Sequence, residues 1–297
     1  MTLSENAGLP DTSRRGGMPA GNLATGTLKV IALVFMFIDH SGKVLFNNME
    51  EMRVLGRIAF PIYVWCMIVG FQRTRSVPKY LLRLAIVGVI SQPLYQLALD
   101  FQGQPGALLQ QTFAPLANRD TFPILLDSFG KVFHTIFLAR PNIFLTLILG
   151  LSALWGIRER KAWSQIWAPA LAIALATLLN ADYGWKGIAL FLLLYAVRDS
   201  RPGIAAVMIA FFLFWGTSYP QMKELFGIHL NVDSLPACLS LPLKALLRKE
   251  TFALLSLPFI LIRFRKDIRM PRWVGYALYP GHLILLILLK ILTFGWK

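Results

Sequence analysis

Apolar runs of near-bilayer length recur along this chain, and that recurrence limits the fold more than any single residue does. Residues 28–46 form the first run, close to the ~20 residues an α-helix needs to cross ~30 Å of hydrocarbon. Further runs cover residues 54–71, 80–99, 143–157, 167–179, 187–197, 204–215, 235–247, 252–264 and 274–294. In lipid each backbone N–H and C=O must find a partner within the protein, which favours helices. The pattern predicts an all-α, polytopic integral membrane protein with about nine to eleven transmembrane helices. Several runs are shorter than ~17 residues, so tilted, half-length and re-entrant pieces stay open.

Composition removes the other classes. Of 297 residues, 56% are hydrophobic and only 15% charged. That excludes an ordinary soluble domain, a disordered chain and a disulfide scaffold. Lys and Arg number 30 against 15 Asp and Glu, a net charge of +15. The cations lie between apolar runs and not on one patch, which fits loops that orient spans and gives no support to a nucleic-acid partner. Cys66 and Cys238 sit in apolar surroundings, and the four histidines are scattered without metal-ligand spacing, so no metal site is expected. No phosphate-loop, serine-hydrolase, zinc-protease or dinucleotide motif occurs.

Residues 1–27 are polar and rich in Gly, Ser, Thr and Pro, and read as a disordered tail. No separate signal peptide is expected; the first run would double as an anchor. Residues 28–297 read as one transmembrane domain. Residues 101–141 break the rhythm and read as a long loop with an interfacial amphipathic helix, a further span being the alternative. Arg73, Arg75 and Lys79, then Arg158, Arg160 and Lys161, then Arg198 and Arg201 alternate as a cytoplasmic N-terminus requires. The basic stretches 244–249 and 263–272 then fall on consecutive loops. Either a segment near 226–264 does not cross, or a span is miscounted.

Ionisable residues inside spans are costly and so are functional candidates. Asp39 is the one carboxylate in the middle of an apolar run, and His40 follows it. Lys29 lies eleven residues before His40, about 16.5 Å along a helix and on nearly the same face. A border cation is thus in line with a mid-membrane imidazole, the usual general base. Asp39 points about 100° away from His40, so direct contact within the helix is not expected, and a pair with a cation on a neighbouring helix is open to it. Arg57, about one turn inside the second span, reaches a similar depth to His40 or snorkels to the border. Arg73 and Arg75 sit level with Lys29, as topology signals or as a phosphate-binding cluster. Asp182 and Tyr183 occupy a turn between runs. His282 lies about 13.5 Å into the last span, again near the level of His40.

Seven short patterns follow in order: Lys29 with Ile38-Asp39-His40; Leu55-Gly56-Arg57-Ile58-Ala59-Phe60-Pro61; Gly70-Phe71 with Arg73; Tyr80-Leu81-Leu82-Arg83-Leu84; Asn142-Ile143-Phe144-Leu145-Thr146-Leu147; Asp182-Tyr183-Gly184; and Tyr279-Pro280-Gly281-His282-Leu283. Together they resemble the TraX/TrbP family of conjugative-pilin acetylases, over about residues 28–294. More distantly they resemble membrane acyltransferases that acetylate cell-surface sugars. Those usually carry arginine where this chain has Lys29, which binds phosphate as a point charge without a fork.

The resemblance implies a multi-pass protein of the bacterial inner membrane that takes acetyl-CoA as co-substrate and needs no metal. Lys29, Arg73 and Arg75 would hold the phosphates and His40 would be the base. Asp39 and Arg57 would complete the catalytic group, Arg57 on the oxyanion. The pilin N-terminal amine would be the acceptor. Asp182, Tyr183 and His282 are further candidates. Two other classes fit the residues: a proton-coupled transporter or flippase with Asp39 and His40 as relay, and a pilus-assembly membrane protein without chemistry.

Overall fold

The computed structural model of the protein describes residues 18–104, 106–108, 110, 130 and 133–295. Eleven α-helices carry the architecture of these residues: α1 Thr25–Val44, α2 Glu50–Gly56, α3 Ala59–Arg73, α4 Val77–Tyr95, α5 Ile143–Arg158, α6 Ala162–Leu178, α7 Gly184–Ala196, α8 Arg201–Gly216, α9 Ala237–Leu246, α10 Leu257–Leu261 and α11 Arg272–Phe294. The strands β1 Glu224–Leu225 and β2 Ile228–His229 form a small antiparallel hairpin. The fold is all-α in class, as the sequence predicts.

Local chemistry sets the helix ends. Asn142 caps α5, its side-chain oxygen accepting from the Phe144 N–H at 3.1 Å. Ser200 caps α8 in the same way, and Pro202 stands in that helix's first turn. Such caps satisfy N–H groups that a helix start leaves without partners. After α1 the chain turns through Asn47 and Asn48, both at positive φ, which asparagine tolerates better than most residues. The second apolar run splits into α2 and α3 at Arg57 and Ile58. Pro61 has no N–H to return to the Arg57 carbonyl, so the helical ladder opens there.

α3 is the centre of the bundle. Ile62, Trp65, Ile68, Val69 and Phe71 are fully or almost fully buried. Outer helices turn apolar side chains outward instead: Leu82, Ile86, Val89 and Ile90 on α4; Trp163, Ile166, Trp167 and Leu171 on α6; Ile284, Leu285, Leu288 and Leu292 on α11. A soluble protein does not expose this much contiguous apolar surface, whereas a lipid-facing one must. Among the described residues, three stretches are long and apolar enough to cross a membrane: Glu50–Arg73, Val77–Asp100 and Trp273–Phe294. α5 to α9 are apolar but shorter. α1 has the length, at 20 residues, and carries Lys29, Asp39 and Lys43 within it.

Hydrogen bonds sort the turns onto two ends. At one end the segment before α1 is clasped by arginines: Arg73 donates to the Leu23 carbonyl, Arg201 to Ala20, and Arg263 to Gly21 and Pro19. Arg158 donates to the Phe71 carbonyl at the same end. At the other end Lys43 meets Asp100, Lys186 meets Ser218, and Arg248 donates to the carbonyls of Gly216, Thr217 and Tyr219. The basic stretches 244–249 and 263–272 therefore lie at opposite ends. The run 235–247, expected as a span, is the ten-residue α9, which folds back where it began. Met222 N–H bonds the Leu247 carbonyl, and Lys244 pairs with Asp233. The run 252–264 is not one α-helix: Lys249–Ser256 is 3₁₀ and only Leu257–Leu261 is α.

Part of the stretch expected as a tail is packed. Gly21 and Asn22 are buried, and the Trp65 indole N–H donates to the Asn22 carbonyl at 2.8 Å. Residues 1–17 lie outside the described residues, as does most of the 101–141 loop, including the greater part of its expected interfacial helix. Its two edges meet, with Arg140 on Asp100 at 3.3 Å.

Candidate functional site

Two cavities enter the bundle and share a wall. The larger, about 1380 Å³, lies at the arginine-clasped end. Lys29, Arg73, Arg75, Lys79, Arg83 and Arg269 line it, and Asp267 is its one carboxylate among the described residues. Asp267 accepts from the backbone N–H of Thr27 at 2.9 Å. The sequence placed Lys29, Arg73 and Arg75 level with one another, and they meet here.

The smaller cavity, about 340 Å³, holds Asp39, His40, Arg57, Asp182 and Tyr183 together with Lys43, Arg53, Lys186 and Glu250. Met36, Tyr63, Ile143 and Tyr279 line both cavities. α1 positions the two chambers at once. It is continuous from Thr25 to Val44, so Lys29 opens on one cavity and His40 on the other, about 16.5 Å further on.

Charges in the smaller cavity are interlocked. Arg57 donates to Glu250 at 3.1 Å, to Asp39 at 3.4 and 3.5 Å, and to the Arg53 carbonyl at 3.2 Å. Arg53 adds a second contact to Asp39 at 3.4 Å. Asp39 thus pairs across to a neighbouring helix, as its direction on α1 allows. Gly56 makes this approach possible: a Cβ there would collide with the Asp39 side chain. Arg57 lines the same cavity as His40, one of the two placements the sequence left open, and most of its guanidinium is committed to these partners.

His40 has a different partner. Its Nδ1 lies 2.8 Å from Nε2 of His282. His282 is buried on α11, its Nδ1 lies 3.3 Å from the Leu278 carbonyl, and its ring meets Tyr279 edge-on. Equal depth in the first and last runs hinted at this pair; packing of α1 against α11 makes it.

The Asp182-Tyr183-Gly184 turn closes the smaller cavity. Gly184 holds φ +51°, a conformation that suits glycine. Tyr183 stacks on Phe60 at 3.6 Å, with Trp215 edge-on to both. Burial among the surrounding walls pushes the Asp182 carboxyl up to about 6, with Arg57 pulling it down, although its surface is open to the cavity. Glu250, Lys43, Arg53 and Tyr63 were not singled out in the sequence, and Tyr279 entered only as part of a pattern, with no role. Lys43 and Arg53 stand four residues from Asp39 and Arg57 respectively, a spacing that places side chains on one helix face and was a usable signal. Glu250 had none, because it reaches Arg57 only through the tertiary fold. No cluster of three or more metal-ligating side chains occurs among the described residues.

Lipid-facing helices around a buried histidine and an ion-pair network define a helical membrane protein with a polar site in its interior. Its particular family follows from comparison: the TraX protein family profile matches residues 24–114 and 128–290, and the chain belongs to that family. It is similar to a probable fimbrial assembly protein FimC, serogroup H1, of Dichelobacter nodosus, at 31% identity over 176 residues, 52% of this chain and 70% of that protein. It is also similar to an uncharacterized protein RP591 of Rickettsia prowazekii (strain Madrid E), at 40% identity over 65 residues, 22% of this chain and 24% of that one. No solved structure matches.

Proposed function

We propose that this protein is an acetyltransferase of the bacterial inner membrane that moves acetyl from acetyl-CoA to the N-terminal amine of a pilin subunit. The observation that supports this most is the shared wall. A basic chamber suited to a polyanionic donor adjoins a chamber that holds an imidazole. Lys29, Arg73 and Arg75 would take the donor's phosphates from the cytoplasmic side. The pantetheine arm would have to carry the thioester past Met36 and Tyr63, which line both chambers, to reach His40. The relative named for fimbrial assembly agrees with a pilin acceptor.

The chemistry balances without a metal. The acceptor nitrogen attacks the thioester carbonyl; a C–N bond forms and the C–S bond breaks. The acceptor ammonium first gives one proton to solvent and attacks as the free amine; His40 then takes the second proton the nitrogen loses and returns it to the departing thiolate. Arg57, fixed by two carboxylates, places positive charge near the developing oxyanion. The product amide is neutral where the amine was charged, which changes how a pilin N-terminus packs in lipid. The relay alternative is less well supported, since Asp39 is tied to two arginines and not poised between two states.

The test is the mass of the pilin. The chain is co-expressed with the pilin of its own element, and the pilin's intact mass and N-terminal peptide are measured for wild type, His40→Ala and empty vector. An acetyl-sized increase with wild type alone supports the proposal. An increase that survives His40→Ala removes His40 as the base. No increase with folded protein present removes pilin as acceptor and favours a non-enzymatic assembly role.

A further inference from the structure

The two histidines carry information that the charge pattern does not. A backbone carbonyl can only accept a hydrogen bond. The 3.3 Å contact between His282 Nδ1 and the Leu278 carbonyl therefore puts a proton on His282 Nδ1. In a neutral ring the other nitrogen, Nε2, is then bare and accepts. Its neighbour at 2.8 Å is Nδ1 of His40, which must be the donor. His40 Nδ1 thus holds a proton, and the bare nitrogen left to His40 is Nε2. Carbonyl, first ring and second ring form a chain in which each link fixes the next.

The surroundings hold this chain in place. The two rings lie within 23° of parallel, with centroids 5.0 Å apart. Tyr279 packs edge-on against His282 at 5.2 Å and edge-on against Phe144 at 4.9 Å, which limits rotation of the His282 ring. His282 is 6% exposed and does not line the smaller cavity, whereas His40 does. His282 therefore sits behind His40, away from any substrate. Asp39, the carboxylate beside His40 in sequence, is occupied by Arg53 and Arg57 and does not orient the imidazole.

We propose that His282 is a positioning residue that holds His40 in its Nδ1–H tautomer and so presents Nε2 as the proton-accepting atom to the smaller cavity. A buried imidazole, anchored to a main-chain carbonyl one turn back on its own helix, here does the work that a carboxylate does behind many catalytic histidines. This rests on the assignment of His40 as the base, and the test separates the two.

Two measurements decide it. The first needs no activity. Histidine-labelled (¹⁵N) protein in lipid nanodiscs has four imidazoles to assign, each by single substitution. The expected spectrum shows His40 as the Nδ1–H tautomer in wild type and a loss of that preference in His282→Ala. His40 as the Nε2–H tautomer in wild type overturns the proposal.

The second uses radiolabelled acetyl-CoA and purified pilin in proteoliposomes. His282→Ala should lower kcat about 10²-fold or more, because the wrong tautomer removes the base, while leaving KM for acetyl-CoA unchanged. His282→Gln should recover a large part of the loss, since its amide oxygen falls where Nε2 stood. His282→Asn should not, since its oxygen falls near Nδ1. A role in packing alone predicts no difference between Gln and Asn. Unchanged kcat in His282→Ala, or Gln as poor as Asn in variants of equal thermal stability, overturns the proposal. If wild type transfers no acetyl, or His40→Ala transfers at the full rate, the assigned function fails, and the tautomer measurement still decides what His282 does.

Discussion

The two cavities share four wall residues and differ in almost everything else. The larger holds six cations and one carboxylate, so its positive charge is largely unspent. The smaller holds four cations, Lys43, Arg53, Arg57 and Lys186, against three carboxylates, Asp39, Asp182 and Glu250, mostly locked in mutual contacts. Unspent charge binds a polyanion. Interlocked charge binds little but fixes geometry, at a desolvation cost that only complete pairing offsets. Under the proposed function the contrast would divide the labour: one chamber would recruit the donor and the other would hold the reacting groups still.

That contrast predicts which kinetic constant each substitution moves. The largest effect belongs to the smaller chamber. His40→Ala should lower kcat for acetyl transfer about 10²- to 10⁴-fold with KM for acetyl-CoA unchanged, read in proteoliposomes. A raised KM instead would break the division.

Arg57→Leu should cost stability first. It leaves Glu250 buried without its partner and strips two hydrogen bonds from Asp39, an expected loss of about 3–5 kcal/mol, read as a fall in Tm in detergent. A variant as stable as wild type would mean that the network does not hold the chamber together.

Lys29→Ala and Arg73→Ala act in the larger chamber. Each should raise KM for acetyl-CoA about tenfold, near 1.4 kcal/mol, and leave kcat alone. The effect should shrink at high salt, since the cavity opens to solvent.

The smallest effect concerns Asp182. Its carboxyl is raised to about 6 in the folded protein, mainly by burial. A raised carboxyl binds its proton more tightly folded than unfolded, so stability falls as pH rises from about 4 to about 6, and the full cost is present above 6. Asp182→Asn removes that cost. The variant should melt above wild type at pH 8, with the difference fading as pH falls to 4. Equal Tm at pH 8 would mean that Asp182 is solvated like a surface group.

Much of this was legible in the chain because it is local. The eleven-residue interval from Lys29 to His40 holds on one unbroken helix, and helix geometry alone places one residue in each chamber. Level placement of Arg73 and Arg75 with Lys29 followed from counting residues into two adjacent antiparallel runs. The basic-loop conflict at 244–272 was also visible in the sequence, though its resolution was not. The run 235–247 looks like a span by hydropathy, yet it is α9, returned to its own end by contacts with residues 222 and 233. Hydropathy measures affinity for a dry environment and does not say which dry environment is on offer.

The sequence by itself determined the class, the long helices such as α1 and α11, and the relative axial depth of Lys29 and His40, because these depend on period and rise within one segment. The tertiary structure alone decided who meets whom around the bundle axis: Glu250 on Arg57, Asp39 between two arginines, His282 on His40, and four residues shared between two chambers. Depth follows from counting along one helix. Azimuth depends on how many helices pack against one another and in what rotation, and no single segment carries that information.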